Sequence, residues 1–375
     1  MIYLDNAATS FPKAPGVVEA MVDFLENVGA NAGRASYGQA REASRIIYDT
    51  RKLLAELLGV LHEERICFTL NATQALNLAI KGLVKPGMTV LTSPLEHNSV
   101  MRPLRCLEEQ NVKIRQFAFK ELSVDWDDWS AKLDENPDLV IFTAASNVNG
   151  LVLPYRELAQ NARQKGIPVI LDAAQALGTL PINGDDYDII CFPGHKGLLG
   201  PMGTGGLYIS PGIEIASLFQ GGTGSRSSEE LQPEVMPDKL ESGTLNIPGI
   251  AGLNSALKFI LHTGINKIRK HKQEITANLI YKLTEIPELI LHSPLSVQQN
   301  AGVISLTSRR LGLSEFALHL DRAGIATRMG LHCAPSAHKT LDTFSDGGTI
   351  RLSPGYFTTR EEIDQAVAVI KGLHE

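Results

Sequence analysis

Phe192-Pro193-Gly194-His195-Lys196-Gly197 closes an apolar run, Tyr187 to Phe192, and leads into Leu199-Gly200-Pro201-Met202-Gly203-Thr204-Gly205-Gly206. The run predicts a short buried strand. A lysine placed just past its end, with a histidine beside it and permissive backbone behind it, is positioned to meet a bound molecule rather than bulk water. Most lysines are solvated surface cations, so the reading of Lys196 depends on its surroundings. The glycines that follow lack the Gly-Lys-Ser/Thr ending of a phosphate loop and the dinucleotide spacing. Their role is to let the backbone turn tightly beside a ligand.

Working outward, strand patterns alternate with helix patterns. Upstream strands are expected at Arg65 to Thr69, Thr89 to Thr92, Val112 to Phe119, Asp138 to Ala144 and Ile167 to Asp172. Between them lie helices from Asn71-Ala72-Thr73 through Ile80 and from Tyr155 to Lys165, while Glu42 to Leu58 forms an earlier helix stopped by Gly59. Such alternation predicts a mostly parallel sheet covered by helices on both faces. Ligands in these sheets bind at the carboxyl ends of strands, where His97, Asn147, Asp172 and Lys196 all fall. Residues 31–38 read as a loop. Downstream, residues 220–243 form a long irregular excursion of the kind that is usually functional. A continuous helical stretch from Gly249 to Leu283 leads to a second region, with strands at Val303 to Thr307, Ile325 to Arg328 and Thr349 to Ser353 and helices at Glu315 to Ala323 and Glu361 to Gly372. The expected fold class is α/β: a large domain, residues 16–255, and a smaller C-terminal α/β domain, residues 256–375, with an N-terminal arm, residues 1–15, packing against the small domain.

The 375-residue chain is 43% apolar and 20% charged, ordinary for a globular enzyme, and its net charge of −6 carries no like-charge block. Neither nucleic acid nor an anionic membrane is an expected partner. No signal-like segment or uninterrupted apolar run of about 18 residues is present, so a cytoplasmic location is expected. Cys67, Cys106, Cys191 and Cys333 have neither metal-knuckle spacing nor the density of a disulfide scaffold.

Four devices suited to pyridoxal phosphate can be placed. Lys196 is a tunable amine for the Schiff base. Asp172, 24 residues earlier, is a carboxylate suited to a pyridine nitrogen, although the same position suits a helix N-cap; Gln175 is within reach of the ring hydroxyl. His97 offers a flat partner for the ring, or is a structural histidine. Ala72, Thr73 and His195 are candidates for a phosphate cradle, since a strand running into a capped helix presents unused N–H groups. Further on, Thr327-Arg328-Met329-Gly330-Leu331-His332-Cys333-Ala334-Pro335 sets Cys333 near Arg328 and His332, which favour a thiolate; the alternative is a small core hydrophobe. A metal site built from His332, Cys333 and His338 lacks a further ligand, and no metal is expected. Cys67, Cys106 and Cys191 lie in apolar or helical runs and are read as inert. Arg351, between apolar neighbours in a strand, calls for a bidentate carboxylate, supplied by an amino-acid substrate or by an internal salt bridge.

In this order the pieces resemble the class V aminotransferase group of fold-type I pyridoxal-phosphate enzymes, and within it the cysteine desulfurases and selenocysteine lyases. Leu4-Asp5-Asn6-Ala7-Ala8-Thr9, Asn71-Ala72-Thr73-Gln74-Ala75, Glu96-His97-Asn98-Ser99, Ser146-Asn147-Val148, Asp172-Ala173-Ala174-Gln175, Gly194-His195-Lys196, Glu241-Ser242-Gly243-Thr244 and Arg351-Leu352-Ser353 carry the likeness. It implies that Asn147 meets the cofactor hydroxyl and the substrate, and that Arg351 takes the substrate carboxylate. It also implies that Gly243 and Thr244 cross to the partner's phosphate in a homodimer with shared sites. The implied catalytic residues are Lys196, His97 and the nucleophile Cys333, and the implied reaction takes L-cysteine to L-alanine with a persulfide left for a sulfur-acceptor protein. L-Selenocysteine is an alternative substrate; an aminotransferase, a β-lyase or a non-catalytic sulfur carrier of the same fold are alternative functions. Two positions depart from the pattern: Pro193 replaces a serine hydroxyl, and Gln74 stands where an acid is frequent.

Overall fold

Near-continuous apolar runs make strands that must be covered on both faces, and the computed structural model places them in the centre of the larger part of the chain. It describes residues 1–33, 36–226 and 228–374; Arg34 and Ala35 of the expected 31–38 loop and Ser227 of the 220–243 excursion lie outside the described residues. The strands are β1 (Ile66–Thr69), β2 (Thr89–Thr92), β3 (Lys113–Gln116), β4 (Leu139–Thr143), β5 (Val169–Asp172), β6 (Ile189–Pro193) and β7 (Gly205–Ile209), ordered β1-β7-β6-β5-β4-β2-β3 across a seven-stranded sheet. β7 runs antiparallel to both neighbours, and the remaining pairs are parallel. β1, β4, β5, β6 and β7 are buried along their whole length. Edge strand β3 alternates exposed Lys113 and Arg115 with half-buried residues, charges that discourage further pairing. Register puts Thr143 opposite Asp172 and Asp172 opposite Cys191, so the carboxyl ends of β4, β5 and β6 share one edge.

Three expected elements are corrected, two of them in the larger part of the chain and at its junction with the rest. The strand expected at residues 112–119 ends at Gln116, and Phe119–Lys120 instead pairs with Ser123–Val124 in a separate small hairpin. The helix expected from 249 to 283 is two helices, Ile247–Thr263 and Ile265–Thr284, because Gly264 takes φ +84°. Apolar periodicity continues on both sides of that glycine, so the pattern alone runs through the break, whereas a left-handed residue interrupts the helix ladder. Side chains of this helix pair up to Ile268 join the core around the seven-stranded sheet. From Ile275 onward they join a second core with Phe316, Leu320, Ile350 and Ile363.

That second core lies against a four-stranded antiparallel sheet, β8 (Leu289–Leu291), β9 (Ile304–Ser308), β10 (Arg328–Gly330) and β11 (Thr349–Leu352), ordered β8-β9-β11-β10. The single strand expected at 325–328 is divided: Ile325–Ala326 pairs in parallel with Ile2–Tyr3, and Arg328 opens β10. The chain start continues along this unit, with the Ser353 amide donating to the Leu4 carbonyl at 2.6 Å. It then reaches the other unit, where the Ser10 amide donates to the His195 carbonyl at 2.9 Å. Residues 1–10 therefore bridge the last strand of the small sheet and the Lys196 loop.

Candidate active site

Lys196 follows β6 in a turn closed by two backbone bonds, Gly194 N–H to Thr204 O at 2.8 Å and Gly200 N–H to Gly194 O at 2.9 Å. A Cβ on Gly194 would lie 2.1 Å from Thr204 Oγ1, so the turn requires glycine there. Burial brings the Lys196 amine down to about 8; Asp172 opposes that shift, and Arg351 and Arg328 add to it. Asp172, the last residue of β5, is 2% exposed. Its Oδ1 accepts the Ala174 amide at 2.9 Å, the local contact anticipated for an N-cap, while its carboxylate acts on Lys196. Burial raises the Asp172 carboxyl, and the Ala174 amide and Lys196 pull it back.

His97 caps the helix Asn98–Leu107, its Nδ1 accepting the Ser99 amide at 3.0 Å. Burial, then the charges of Lys196 and Arg328, lower its ring to about 4. It is a neutral imidazole at physiological pH. Ser99 Oγ lies 2.9 Å from that same Nδ1 and 2.7 Å from Thr73 Oγ1, linking the ring to the helix Ala72–Leu83. At the start of this helix Asn71 Oδ1 accepts the Gln74 amide at 2.9 Å and Gln74 Oε1 accepts the Leu70 amide at 2.7 Å. Gln74, unexplained by sequence, thus closes the first turn in the place of an acid. The amides of Ala72 and Thr73 are left unused by the helix ladder.

One cavity is lined by Ala72, Thr73, His97, Asn147, Asp172, Gln175, His195 and Lys196, together with Asn71, Ser99, Thr143, Ala145 and Pro193. Every cofactor residue expected from the large unit before residue 200 is therefore on one wall or another of it. The donor set fits pyridoxal phosphate: a desolvated amine, a buried carboxylate, a neutral ring, and unused helix amides with a hydroxyl and an imidazole beside them. Pro193 faces the cavity with neither hydroxyl nor N–H. Gln175 Nε2 donates to Ala7 O at 3.0 Å, and His195 Nδ1 sits 3.0 Å from Thr9 Oγ1, so both are oriented by the chain start.

Gly243 and Thr244 are not brought to this cavity. They line a separate cleft of 710 Å³ with Asn31, Ser225 and Glu241. In its wall Arg51 and Glu241 form a buried pair, Nη1–Oε1 3.0 Å and Nη2–Oε2 2.5 Å, and Glu241 Oε1 also accepts the Phe68 amide at 2.6 Å. This pair anchors the end of the 220–243 excursion to β1.

Arg351 is 1% exposed. Its Nη2 donates to Asp5 Oδ1 at 2.7 Å and its Nη1 to Asn147 O at 3.0 Å, leaving Nε buried without a partner. The internal salt bridge is therefore present, and one edge of the guanidinium is still unused. Cys333 is exposed, with Arg328 Nη2 3.9 Å from its Sγ. His332 and Cys333 both have left-handed backbone, φ +48° and +58°, a conformation non-glycine residues hold only when surroundings impose it. Two bonds impose it here: Asn98 N–H to Cys333 O at 2.8 Å and Asn147 Nδ2 to His332 O at 2.7 Å. His332 and His338 face the hydroxyls of Thr349 and Thr343. Cys67 and Cys191 are fully buried, whereas Cys106, grouped with them by sequence, is exposed on the helix Asn98–Leu107.

The family model for class-V aminotransferases matches residues 2–366. The chain belongs to the class-V aminotransferase family. It is 34% identical to a protein of Methanothermobacter thermautotrophicus named "Probable cysteine desulfurase", over 96% of this chain and 92% of that one. A Pyrococcus abyssi protein of the same name is 31% identical over 100% and 94%. Among solved structures, the apo cysteine desulfurase of Thermococcus onnurineus NA1 superposes with a TM-score of 0.93 at 30% identity, covering 100% of this chain and 94% of that one.

Several residues that shape this class-V aminotransferase site escape a linear reading. Asp5 stands in a segment that the resemblance marks without assigning it a role, and nothing local signals its partner 346 positions away. Thr9 and Lys13 meet His195, with Lys13 Nζ 3.2 Å from its carbonyl. Glu96 directly precedes the candidate ring partner His97. Its carboxylate lies wholly buried between strand ends, and an acid followed by polar residues at a strand end is the one signal that marked it.

Proposed function

We propose that this protein is a pyridoxal-phosphate-dependent cysteine desulfurase that converts L-cysteine to L-alanine and leaves the sulfur as a persulfide on Cys333. The observation that carries the reading is the double anchoring of the Cys333 loop by Asn98, the chain neighbour of His97, and by Asn147, which itself lines the Lys196 cavity. An incidental cysteine has no need of such a link.

When bound, pyridoxal phosphate supplies an electron sink for charge developing at the substrate Cα. Ala72 and Thr73 amides, the Thr73 hydroxyl and His195 would hold its phosphate, and Asn147 and Gln175 would serve its ring hydroxyl. Asp172 would hold a proton at the ring nitrogen, and neutral His97 would be the flat partner for the ring. Gly243 and Thr244 complete the phosphate site of a partner copy, which makes the protein a homodimer with shared sites. Arg351 receives the substrate carboxylate, with Asn147 beside it. Lys196, with an amine near 8, takes and returns the proton at Cα. His97 assists that transfer through its second ring nitrogen. The Cys333 thiolate, near the Arg328 guanidinium, forms the new S–S bond as the substrate Cβ–S bond breaks, and the bonding pair left on the substrate takes up a proton on the way to alanine. L-Selenocysteine meets the same groups. A cytoplasmic location, discharge of the persulfide to an acceptor protein, and separate large and small domains joined near the helix break belong to the same proposal.

The test is alanine and persulfide formation by wild type and Cys333→Ala, with L-cysteine and L-selenocysteine side by side. Cys333→Ala retains the visible absorbance of the bound cofactor and loses alanine formation from L-cysteine. Unchanged turnover would remove Cys333 from the chemistry and leave an aminotransferase or β-lyase of the same fold. Absence of a pyridoxyl adduct on Lys196 after borohydride reduction would remove the enzyme altogether.

A further inference from the structure

Glu96 is the most deeply buried carboxyl beside the site that the proposed chemistry does not use. It is 0% exposed. Its Oε1 accepts the Thr143 amide at 2.9 Å and the Ser93 hydroxyl, and its Oε2 is buried with no partner at all. Among the described residues no lysine, arginine or histidine pairs with it; the charged group that bears on it is another carboxylate, Asp172. Its chain neighbour His97 is neutral, and Lys196 acts on Asp172 rather than on Glu96. An ionised carboxylate with a bare oxygen, no counter-charge and a second anion nearby is among the costliest arrangements a protein interior can hold. Protonating Oε2 removes the charge, which leaves the smaller cost of a buried hydroxyl without an acceptor, and keeps Oε1 as the acceptor both donors require.

We propose that Glu96 is a neutral carboxylic acid in the native protein and serves as a positioning residue, tying the turn that carries His97 to the strand that lies against Asp172. The geometry of the tie is direct. Ser93 follows β2 and begins the turn to His97; Thr143 ends β4, stands opposite Asp172 in register, and is followed by Ala144, whose amide donates to Asp172 O at 2.9 Å. One uncharged acid therefore sets the ring-facing group relative to the nitrogen-facing group without adding a second negative charge to compete with Asp172. Its burial, with Asp172 adding to the effect, keeps the proton on Glu96 up to about 8. The functional meaning rests on the roles proposed above for His97 and Asp172; the charge state does not.

The sign of the pH effect follows. An unfolded chain releases this proton in the ordinary carboxylate range, while the folded chain holds it to about 8. Between those values the folded state binds more protons, so stability falls as pH rises. The experiment is denaturant unfolding of wild type and Glu96→Gln, stripped of cofactor, across that range. Glutamine keeps the Oε1 acceptor and never ionises. The folded-to-unfolded ratio of wild type should drop against that of Glu96→Gln by roughly tenfold per pH unit between about 5 and 8. A ratio that stays level, or that rises with pH, would overturn the neutral assignment. Infrared spectra of wild type labelled in its glutamate carboxyls test the assignment without relying on the variant folding: the absence of any protonated-acid band at neutral pH would overturn the proposal, and a band that is present should be lost in Glu96→Gln, which separates it from buried Glu241, itself raised to about 7. Positioning is read separately on the cofactor-loaded protein. The pH midpoint of its visible band should shift in Glu96→Ala and return in Glu96→Gln, and equal midpoints in wild type and Glu96→Ala would sink the positioning role even if the acid is neutral.

Discussion

Asn147 holds His332 and Arg351 at once: its side-chain amide donates to the His332 carbonyl at 2.7 Å, and its own carbonyl accepts from Arg351 Nη1 at 3.0 Å. The loop bearing Cys333 and the guanidinium proposed for the substrate carboxylate are therefore referenced to one residue. Losing a buried hydrogen bond of this kind costs about 1–3 kcal/mol. Asn147→Ala should therefore slow persulfide formation by roughly tenfold or more, and should accelerate alkylation of Cys333 by a small thiol reagent because the left-handed loop is released. Alkylation at the wild-type rate would show that Asn147 does not fix the loop.

Arg351 and Asp5 join the small sheet to the chain start through a pair whose side chains are 2% and 20% exposed. Breaking it leaves a buried guanidinium bound only to a backbone carbonyl. Asp5→Asn should lower unfolding free energy by about 1–3 kcal/mol, below the full cost of breaking a buried pair because Asp5 is partly hydrated. Urea denaturation at neutral pH measures it, and an unchanged midpoint would show that the pair contributes nothing net.

Lys196 titrates near 8 in this environment, and Asp172 is the leading group holding that value up. In protein stripped of cofactor, the rate at which an amine reagent labels Lys196 should reach half its maximum near pH 8, well below an ordinary lysine. Asp172→Asn should move that midpoint lower, since the favourable carboxylate is gone while burial, Arg351 and Arg328 remain. A midpoint that moves upward would contradict the electrostatic arrangement described here.

Asn71 caps the helix whose first amides face the cavity. Asn71→Ala should cost about 1 kcal/mol of stability and should weaken binding of pyridoxal phosphate, measured by absorbance titration, because the loosened first turn no longer aims the Ala72 and Thr73 amides. Gln74→Ala, which removes the bond to the Leu70 amide, should act in the same direction and less strongly, because a side-chain acceptor at the third helix position contributes less than the cap itself.

What was legible in the chain was whatever is decided by neighbours a few residues apart. Short apolar runs such as Val169-Ile170-Leu171 between helix patterns indicate strands buried on both faces, and Asn71 before Ala72 suits a helix cap, so the parallel sheet and the placing of Asp172 and Lys196 at strand ends followed from local order. Resemblance then gathered His97, Asn147, Gln175 and His195 around Lys196, and all of them line one cavity. Tertiary structure alone decided the rest. Gly264 breaks a helix that periodicity carries straight through, because a period records which side faces a core and not where the backbone turns left-handed. Arg351 meets Asp5, and Glu96 meets Thr143, across separations that no spacing encodes; which charge is paired and which is left neutral depends on what folding brings within about 3 Å and on how much water it removes.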